Sequence, residues 1–221
     1  IVAEYAQFAE QLGMTAFLPI PISGLAGDNI VTPSANMGWY QGPTLLGHLE
    51  EAPINVARMA DEAFRMAVQW VNRPNLDFRG FAGQIGSGAV QPGDAIRVLP
   101  SGKTTTVKSI VTYGGTLDRA VAGQSITLTF ADEIDCSRGD VIVRADAPCE
   151  VADQFEATLV WMDEHEMLPG RPYLLKIGTQ TLTATVTEPK YEVNINTLEH
   201  LPSRTLALNA IGVVNISTDR A

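Results

Sequence analysis

The sequence predicts a mainly β protein, in which a short α/β piece precedes two β-barrels, the second of them incomplete. Three observations carry this expectation. Apolar residues at helical spacing are confined to roughly the first fifty positions. From Phe64 onward, apolar and polar residues alternate with period two, as in half-buried strands. Turns rich in Gly and Pro separate these runs at short, regular intervals, which favours small closed barrels.

Ile1, Tyr5, Phe8, Ala9 and Leu12 recur at helical spacing, and Gly13 supplies a stop. Residues 16–22 read as extended, with Pro19 and Pro21 demoting them to an edge strand or strand end. Residues 23–40 form a long loop rich in Gly, Asn, Ser and Pro. Gly42-Pro43-Thr44 opens a second helix, with Pro43 at the first helical position and Leu45, Leu46 and Leu49 on its apolar side. Helix, extended segment, long loop and helix make the tail of an α/β domain, assigned to residues 1–54.

A polar linker is expected over 55–61. Phe64, Met66, Val68 and Trp70 then alternate with Arg65, Ala67 and Gln69. Strands follow at 81–85, 95–99, 104–111, 125–130 and 141–143, giving a closed barrel of about six strands over 62–147. Gly80, Gly83, Gly86 and Gly88 let a strand bend, and Pro92-Gly93-Asp94 turns the chain into the next one. A second barrel occupies 151–221, with strands at 154–161, 173–177, 180–187 and 205–216. It reads as incomplete because residues 215–221 show no obvious closing strand.

Composition narrows the function. With 15 Lys+Arg against 25 Asp+Glu the net charge is −10, which lacks the footprint of a nucleic-acid binder. No apolar run approaches the roughly 18–20 residues of a membrane span. The N-terminus has neither the basic nor the apolar region of a signal peptide, so a cytoplasmic location is expected. The chain begins at Ile1 rather than Met and reads as a piece of a longer protein. Cys136 and Cys149 are expected as free thiols, with a disulfide as the alternative.

His48, His165 and His200 are too scattered for a zinc site. Asp163-Glu164-His165-Glu166 reads as a solvated loop rather than a metal cluster, so no metal ligand and no catalytic residue are assigned. Asp132, Glu133 and Asp135 read as an exposed acidic turn. Trp39, Trp70 and Trp161 read as packing residues in cores or between domains. Asn72, Arg73, Asn75, Asp77 and Arg79 interrupt a strand entry and serve no core, which marks a functional surface.

The order of α/β tail, barrel and barrel, with Gly80-Phe81-Ala82-Gly83 and the glycine-rich stretch to Asp94, resembles the translation-factor GTPases such as elongation factor Tu. More particular are Pro21–Ile30, Met37–Leu46, Gln69–Gly80 and Asp132–Asp140. These are similar to the large, GTPase subunit of bacterial ATP sulfurylase (sulfate adenylyltransferase subunit 1), and the likeness runs from about Ile1 to Val214. The run Val71-Asn72-Arg73-Pro74-Asn75-Leu76-Asp77-Phe78-Arg79-Gly80 is the most specific piece.

The resemblance implies the C-terminal piece of a G domain followed by two elongation-factor-Tu-like barrels. It implies an enzyme that binds GTP and Mg²⁺ and couples GTP hydrolysis to sulfate adenylylation on a small catalytic partner subunit. Neither nucleic acid nor membrane is an expected partner. In some members an adenylylsulfate kinase is fused. The phosphate-loop pattern GxxxxGK[ST] is absent here, since Ser101-Gly102-Lys103-Thr104 lies between two barrel strands. The family's Mg²⁺-binding and guanine motifs would lie before Ile1, so these residues alone are not expected to hydrolyse GTP. One nucleotide element remains by resemblance. Ser23-Gly24-Leu25 matches the family's Ser-Ala-Leu loop, whose backbone N–H groups support the guanine base. The polar run at 72–79 would then face the G-domain switches or the partner. The alternative reading is a two-barrel binding module of translation-factor type without a sulfurylase role.

Overall fold

The computed structural model describes residues 1–14, 16–52 and 61–221, and the chain divides into two compact units, Ile1–Asn55 and Val56–Ala221. The linker expected over 55–61 lies, but for Asp61, outside the described residues.

In the first unit, α1 (Val2–Gln11) ends as its glycine dictates. Gly13 takes φ +70°, its N–H reaches the carbonyl of Glu10 at 3.0 Å, and Met14 N–H reaches that of Ala9 at 2.9 Å. This paired geometry satisfies two of the carbonyls a helix leaves free at its C-terminus. Tyr5 meets Phe17 edge-on at 5.0 Å and so packs the helix against the extended residues that follow. Residues 16–22 pair with no strand, which corrects the expected edge strand. Their two prolines withhold the donors a ladder needs.

A short 3₁₀ turn (Ala35–Met37) precedes α2 (Leu45–Glu51). Thr44, not Pro43, caps α2: its Oγ1 accepts Gly47 N–H at 3.1 Å, and Pro43 lies one residue outside the cap. Leu46 and Leu49 remain exposed, so the apolar side of α2 is not covered within this unit.

The second unit begins with ten strands: β1 (Arg65–Ala67), β2 (Trp70–Asn72), β3 (Gly80–Ser87), β4 (Ala89–Val90), β5 (Ala95–Leu99), β6 (Thr104–Thr112), β7 (Gly115–Leu117), β8 (Ala120–Val121), β9 (Ser125–Phe130) and β10 (Val141–Arg144). Antiparallel pairing runs β1–β10–β5–β6–β9–β3, and β3 returns to β1, which closes a ring of six strands. Closure leaves no free edge among these six. Inside lie Phe64, Met66, Val68, Phe81, Ile85, Ile96, Ile110, Leu128 and Ile142, all buried. Phe81 stacks on Phe130 at 4.3 Å.

The β1–β3 ladder slips between Arg65 and Met66, pairing them with Ser87 and Ile85, so Gly86 is the extra residue of a bulge. Gly88 follows at φ +75°, where a Cβ would stand 2.4 Å from the Phe64 backbone nitrogen. The bend expected of these glycines is therefore a bulge at the seam of the ring. Trp70 departs from expectation. It continues the alternation in sequence but is 66 % exposed, because β2 pairs only with β3, outside the ring.

Six further strands form a second sheet: β11 (Gln154–Val160), β12 (Pro172–Ile177), β13 (Gln180–Val186), β14 (Tyr191–Val193), β15 (His200–Leu201) and β16 (Ile211–Thr218). β16 is central. β11 lies along one side of it, while β14 and then β13 take the other. The central strand thus runs two residues past the strand end expected at Ile216, to Thr218. Conversely, residues 205–210 are not strand. Leu206 turns inward to be fully buried with Met167, Val214 and Ile216, and Asn209 takes φ +66°.

The two sheets meet around Val68, whose carbonyl accepts both Gly139 N–H at 3.1 Å and Thr179 Oγ1–H at 2.8 Å. Beside this contact an apolar hollow of about 280 Å³ is lined by Ala67, Leu99, Phe155, Leu175 and Cys149.

Both cysteines are free thiols. Burial in the barrel, reinforced by the nearby Asp140 carboxylate, pushes the Cys136 thiol up to about 12 from an ordinary 9.0. Cys149 is only half-buried. Iodoacetamide at pH 8 should therefore alkylate Cys149 and spare Cys136 until the protein unfolds, as read by peptide mass spectrometry. Because the folded state holds the Cys136 proton more tightly, its contribution to stability is complete below about pH 9. It should be lost as pH rises toward 12, and urea titrations across that range check the sign.

Candidate functional site

The loop that carries Ser23, Gly24 and Leu25 is held from within. Ser23 N–H donates to Asp28 O at 3.2 Å, Ser23 O accepts Gly27 N–H at 2.8 Å, and Ser23 Oγ accepts Ala26 N–H at 3.1 Å. Gly24 and Leu25 form the tip. Their N–H groups donate no hydrogen bond among the described residues, and the Leu25 side chain is fully exposed. A Cβ at Gly24 would meet nothing within 4 Å, so alanine fits there as readily as glycine. The structure thus leaves two adjacent backbone donors pointing free of the chain, each able to serve an external acceptor.

Sequence reasoning missed what holds this tip. Asn29 is 3 % exposed with φ +55°, a conformation asparagine tolerates better than most residues. Its Nδ2 donates to Pro21 O at 3.1 Å and its Oδ1 accepts Ser34 N–H at 2.7 Å. Asp28 Oδ1 accepts from Ser34 Oγ and, at 3.2 Å, from Asn36 Nδ2. The backbone carbonyls of Asn29 and Ile30 accept the N–H groups of Leu45 and Leu46 at 2.9 Å each. With Thr44 Oγ1 on Gly47, the first three amides of α2 are all satisfied, two of them by the loop. Asp28-Asn29 in a loop rich in Gly and Ser was the available signal, because both residue types stabilise turns through their own side chains.

The polar run 72–79 lies on the outside of the barrel. Arg73, Leu76, Asp77, Phe78 and Arg79 form one wall of a cleft of about 320 Å³, and Lys108, Ser109 and residues 129–134 form the other. Arg79 lies over the Phe81 ring, 5.4 Å from its centroid. Ser109 and Thr129 hydrogen-bond through their hydroxyls at 2.6 Å. The expected acidic turn is the rim of this cleft. Asp132 accepts Thr105 Oγ1–H at 2.8 Å, and Asp135 pairs with Lys103 at 2.9 Å, which holds its carboxyl below the usual aspartate range.

Other candidates are local structure. Asp163 accepts the backbone N–H of His165 at 2.8 Å and faces its Nδ1 at 3.0 Å, which lowers the Asp163 carboxyl. Among the described residues no group of three or more His, Cys, Asp or Glu is placed to hold a metal ion. Trp161 is half-buried against Tyr173, with Nε1 donating to His165 O, whereas Trp39 is 73 % exposed and serves no core of its unit.

The protein is 49% identical over 218 residues to the bifunctional enzyme NodQ of Rhizobium sp. (strain N33), covering 99% of this chain and 34% of NodQ. It is 49% identical over 213 residues to sulfate adenylyltransferase subunit 1 of Shewanella woodyi, covering 96% of this chain and 45% of that protein. The chain is homologous, over nearly its whole length, to a part of sulfate adenylyltransferase subunit 1 and of NodQ. It spans about a third to just under half of the length of these relatives.

The second sheet has its own match, as residues 154–221 fit the description GTP-eEF1A C-terminal domain-like. The crystal structure of sup35 complexed with GDP superimposes with a TM-score of 0.68 at 18% identity, covering 99% of this chain and 55% of that one, a likeness of fold. The mainly β, translation-factor-like fold read from the sequence is therefore the fold adopted.

If Asn29 organises the loop, Asn29→Ala should remove three side-chain hydrogen bonds, to Pro21 O, Met37 Sδ and Ser34 N–H, and strain the backbone, at a cost on the order of 1–3 kcal/mol. Chymotrypsin should then cut faster at Leu25, Trp39 or Tyr40, and unchanged digestion would show that the loop is held by other means.

Proposed function

We propose that this chain is part of the GTPase subunit of a sulfate adenylyltransferase. In this reading GTP hydrolysis drives a small catalytic subunit to make adenosine 5′-phosphosulfate and pyrophosphate from ATP and sulfate. The carrying observation is identity of 49% to a sulfate adenylyltransferase subunit 1 across nearly the whole chain. The coupling is physically reasonable. The phosphosulfate anhydride is a high-energy bond, and a protein that binds its partner differently in its GTP and GDP states can shift an unfavourable equilibrium.

In the intact protein, residues 1–54 would be the C-terminal part of the G domain, with barrels over 62–147 and 151–221. The guanine base would rest on the Ser23-Gly24-Leu25 turn. Support for this comes from the two unused N–H groups of Gly24 and Leu25 and from the rigid Asp28–Asn29–Ser34 frame behind them. Mg²⁺ would accompany the nucleotide phosphates, and no residue of this chain is assigned to it. A cytoplasmic setting is supported by the two free thiols, and the absence of a nucleic-acid partner by the charge of −10.

The test is pyrophosphate release from ATP and sulfate by the full-length protein mixed with the small subunit. It is run with GTP, with GDP and with a non-hydrolysable GTP analogue. Strong stimulation that requires hydrolysable GTP is expected. A rate indifferent to the guanine nucleotide would overturn the coupling and bring forward the two-barrel binding module.

The base contact has its own test. Leu25→Pro deletes one of the two free donors at an exposed tip. It should weaken GDP binding to the full-length protein by about tenfold, as expected for one lost hydrogen bond to a bound ligand. Fluorescent-GDP titration reads this directly, and an unchanged affinity would remove the turn from the nucleotide site.

A further inference from the structure

The outer cleft of the first barrel is built from parts that the barrel itself does not require. Its 73–79 wall is a loop between β2 and β3, and its opposite wall contains an irregularity. The β6–β9 register runs Val107 to Phe130 and then Ser109 to Thr129, so Lys108 is the inserted residue of a bulge. A bulge disrupts the ladder locally and re-aims a side chain. Here Lys108 is exposed and lines the cleft that Arg73 and Arg79 line from the other side.

These three cations make no ion pair and donate no hydrogen bond among the described residues. Three carboxylates share the lining, Asp77, Asp132 and Glu133, but Asp132 is turned to Thr105. Two guanidinium groups and one ammonium therefore keep their donors free in a space of about 320 Å³, with the aliphatic side chain of Leu76 standing 90 % exposed at the edge. Stacking on Phe81 fixes Arg79 in advance, which lowers the entropy lost on binding. Arginines beside an exposed apolar anchor are the composition of an interface centre.

The rim carboxylates make a polyanion a poor occupant, because phosphates along a strand would meet Asp77 and Glu133 as well as the cations. A protein loop carrying one or two carboxylates next to an apolar residue suits the cleft better. Its carboxylates would take the free donors of Arg73, Arg79 and Lys108, and its apolar residue would cover Leu76.

We propose that the cleft between the 73–79 loop and the Lys108 bulge is the docking site for a carboxylate-bearing loop of the small catalytic subunit. The proposal rests on the sulfate adenylyltransferase reading for the identity of the partner. On a chain of net −10 the contact has a clear signature, since three unpaired cations can attract a carboxylate-bearing loop only through local complementarity.

The test is calorimetric titration of the full-length protein with the small subunit, using Arg73→Glu, Lys108→Glu and, as a control on the second sheet, Lys176→Glu. All three positions are exposed. Arg73→Glu and Lys108→Glu should each raise the dissociation constant about tenfold or more and flatten its dependence on salt, while Lys176→Glu should leave both unchanged. GDP affinity and melting temperature serve as checks of folding, and if Arg73→Glu lowers the latter, Arg73→Gln gives the same reading at smaller amplitude. Wild-type affinity in folded cleft variants would overturn the docking site and leave the sulfurylase reading intact. A wild-type protein that does not bind the small subunit at all would overturn both.

Discussion

The ladder between β1 and β3 is the contact on which the larger unit depends. It turns a curled sheet of six strands into a closed ring, and it is built on only two residues of β1, Arg65 and Met66. Closure demands that the chain bend sharply at the seam. The bulge at Gly86 supplies the bend, and Gly88 lets the β3–β4 corner pass within van der Waals distance of the Phe64 backbone. The consequences spread from there. Phe64, Met66 and Val68 become the centre of the core, and Cys136 is sealed into it as a thiol. Val68 then presents its carbonyl to the second sheet through Thr179. One short strand thus ties together the barrel, its core and the neighbouring sheet.

The first unit is organised on a different principle. Among its described residues only Ala9 and Asn29 are buried, so it has little hydrophobic core of its own. Its order comes from polar contacts concentrated at Asp28, Asn29 and Ser34 and from loop carbonyls that complete the start of α2. Such a network defines geometry well, since each buried polar group left unpaired would cost about 1–3 kcal/mol. A turn held in this way, with two unused N–H groups at its tip, is suited to reading the edge of a ligand.

The outer cleft shows how function can be carried by departures from regular structure. A run of strictly alternating residues would have kept Lys108 out of line with Arg73 and Arg79 or left no loop to hold them. The bulge in β6 and the interruption between β2 and β3 both sacrifice ladder hydrogen bonds. Neither adds to the core. Both features weaken the sheet locally and gather unpaired cations in one place, which is what the proposed docking would use.

Strands 95–99 and 125–130 were legible to the residue, because period-two burial and Gly or Pro turns impose themselves on the local sequence whatever the rest of the chain does. Gly13 as the end of α1 was legible for the same reason, as was the glycine-dependent bend near Gly86. The likeness to sulfate adenylyltransferase subunit 1 was legible too, in the run from Val71 to Gly80, a polar stretch that serves no core.

What the sequence could not decide were matters of pairing between distant segments. Trp70 continues a perfect alternation yet is exposed, because β2 pairs outside the ring. Leu206 looks like part of a strand yet is an inward plug, because Met167 and Val214 leave room for it. Residues 217–218 look like an ending yet belong to the central strand, since β11 and β13 both pair with it there. Asn29 was placed behind the loop tip, and Lys108 and Arg73 were brought to one cleft, in the same way. Periodicity fixes which face a residue takes along its own strand, but which strand or loop stands opposite is set by closure of the ring and packing of the core, and these are properties of the whole chain.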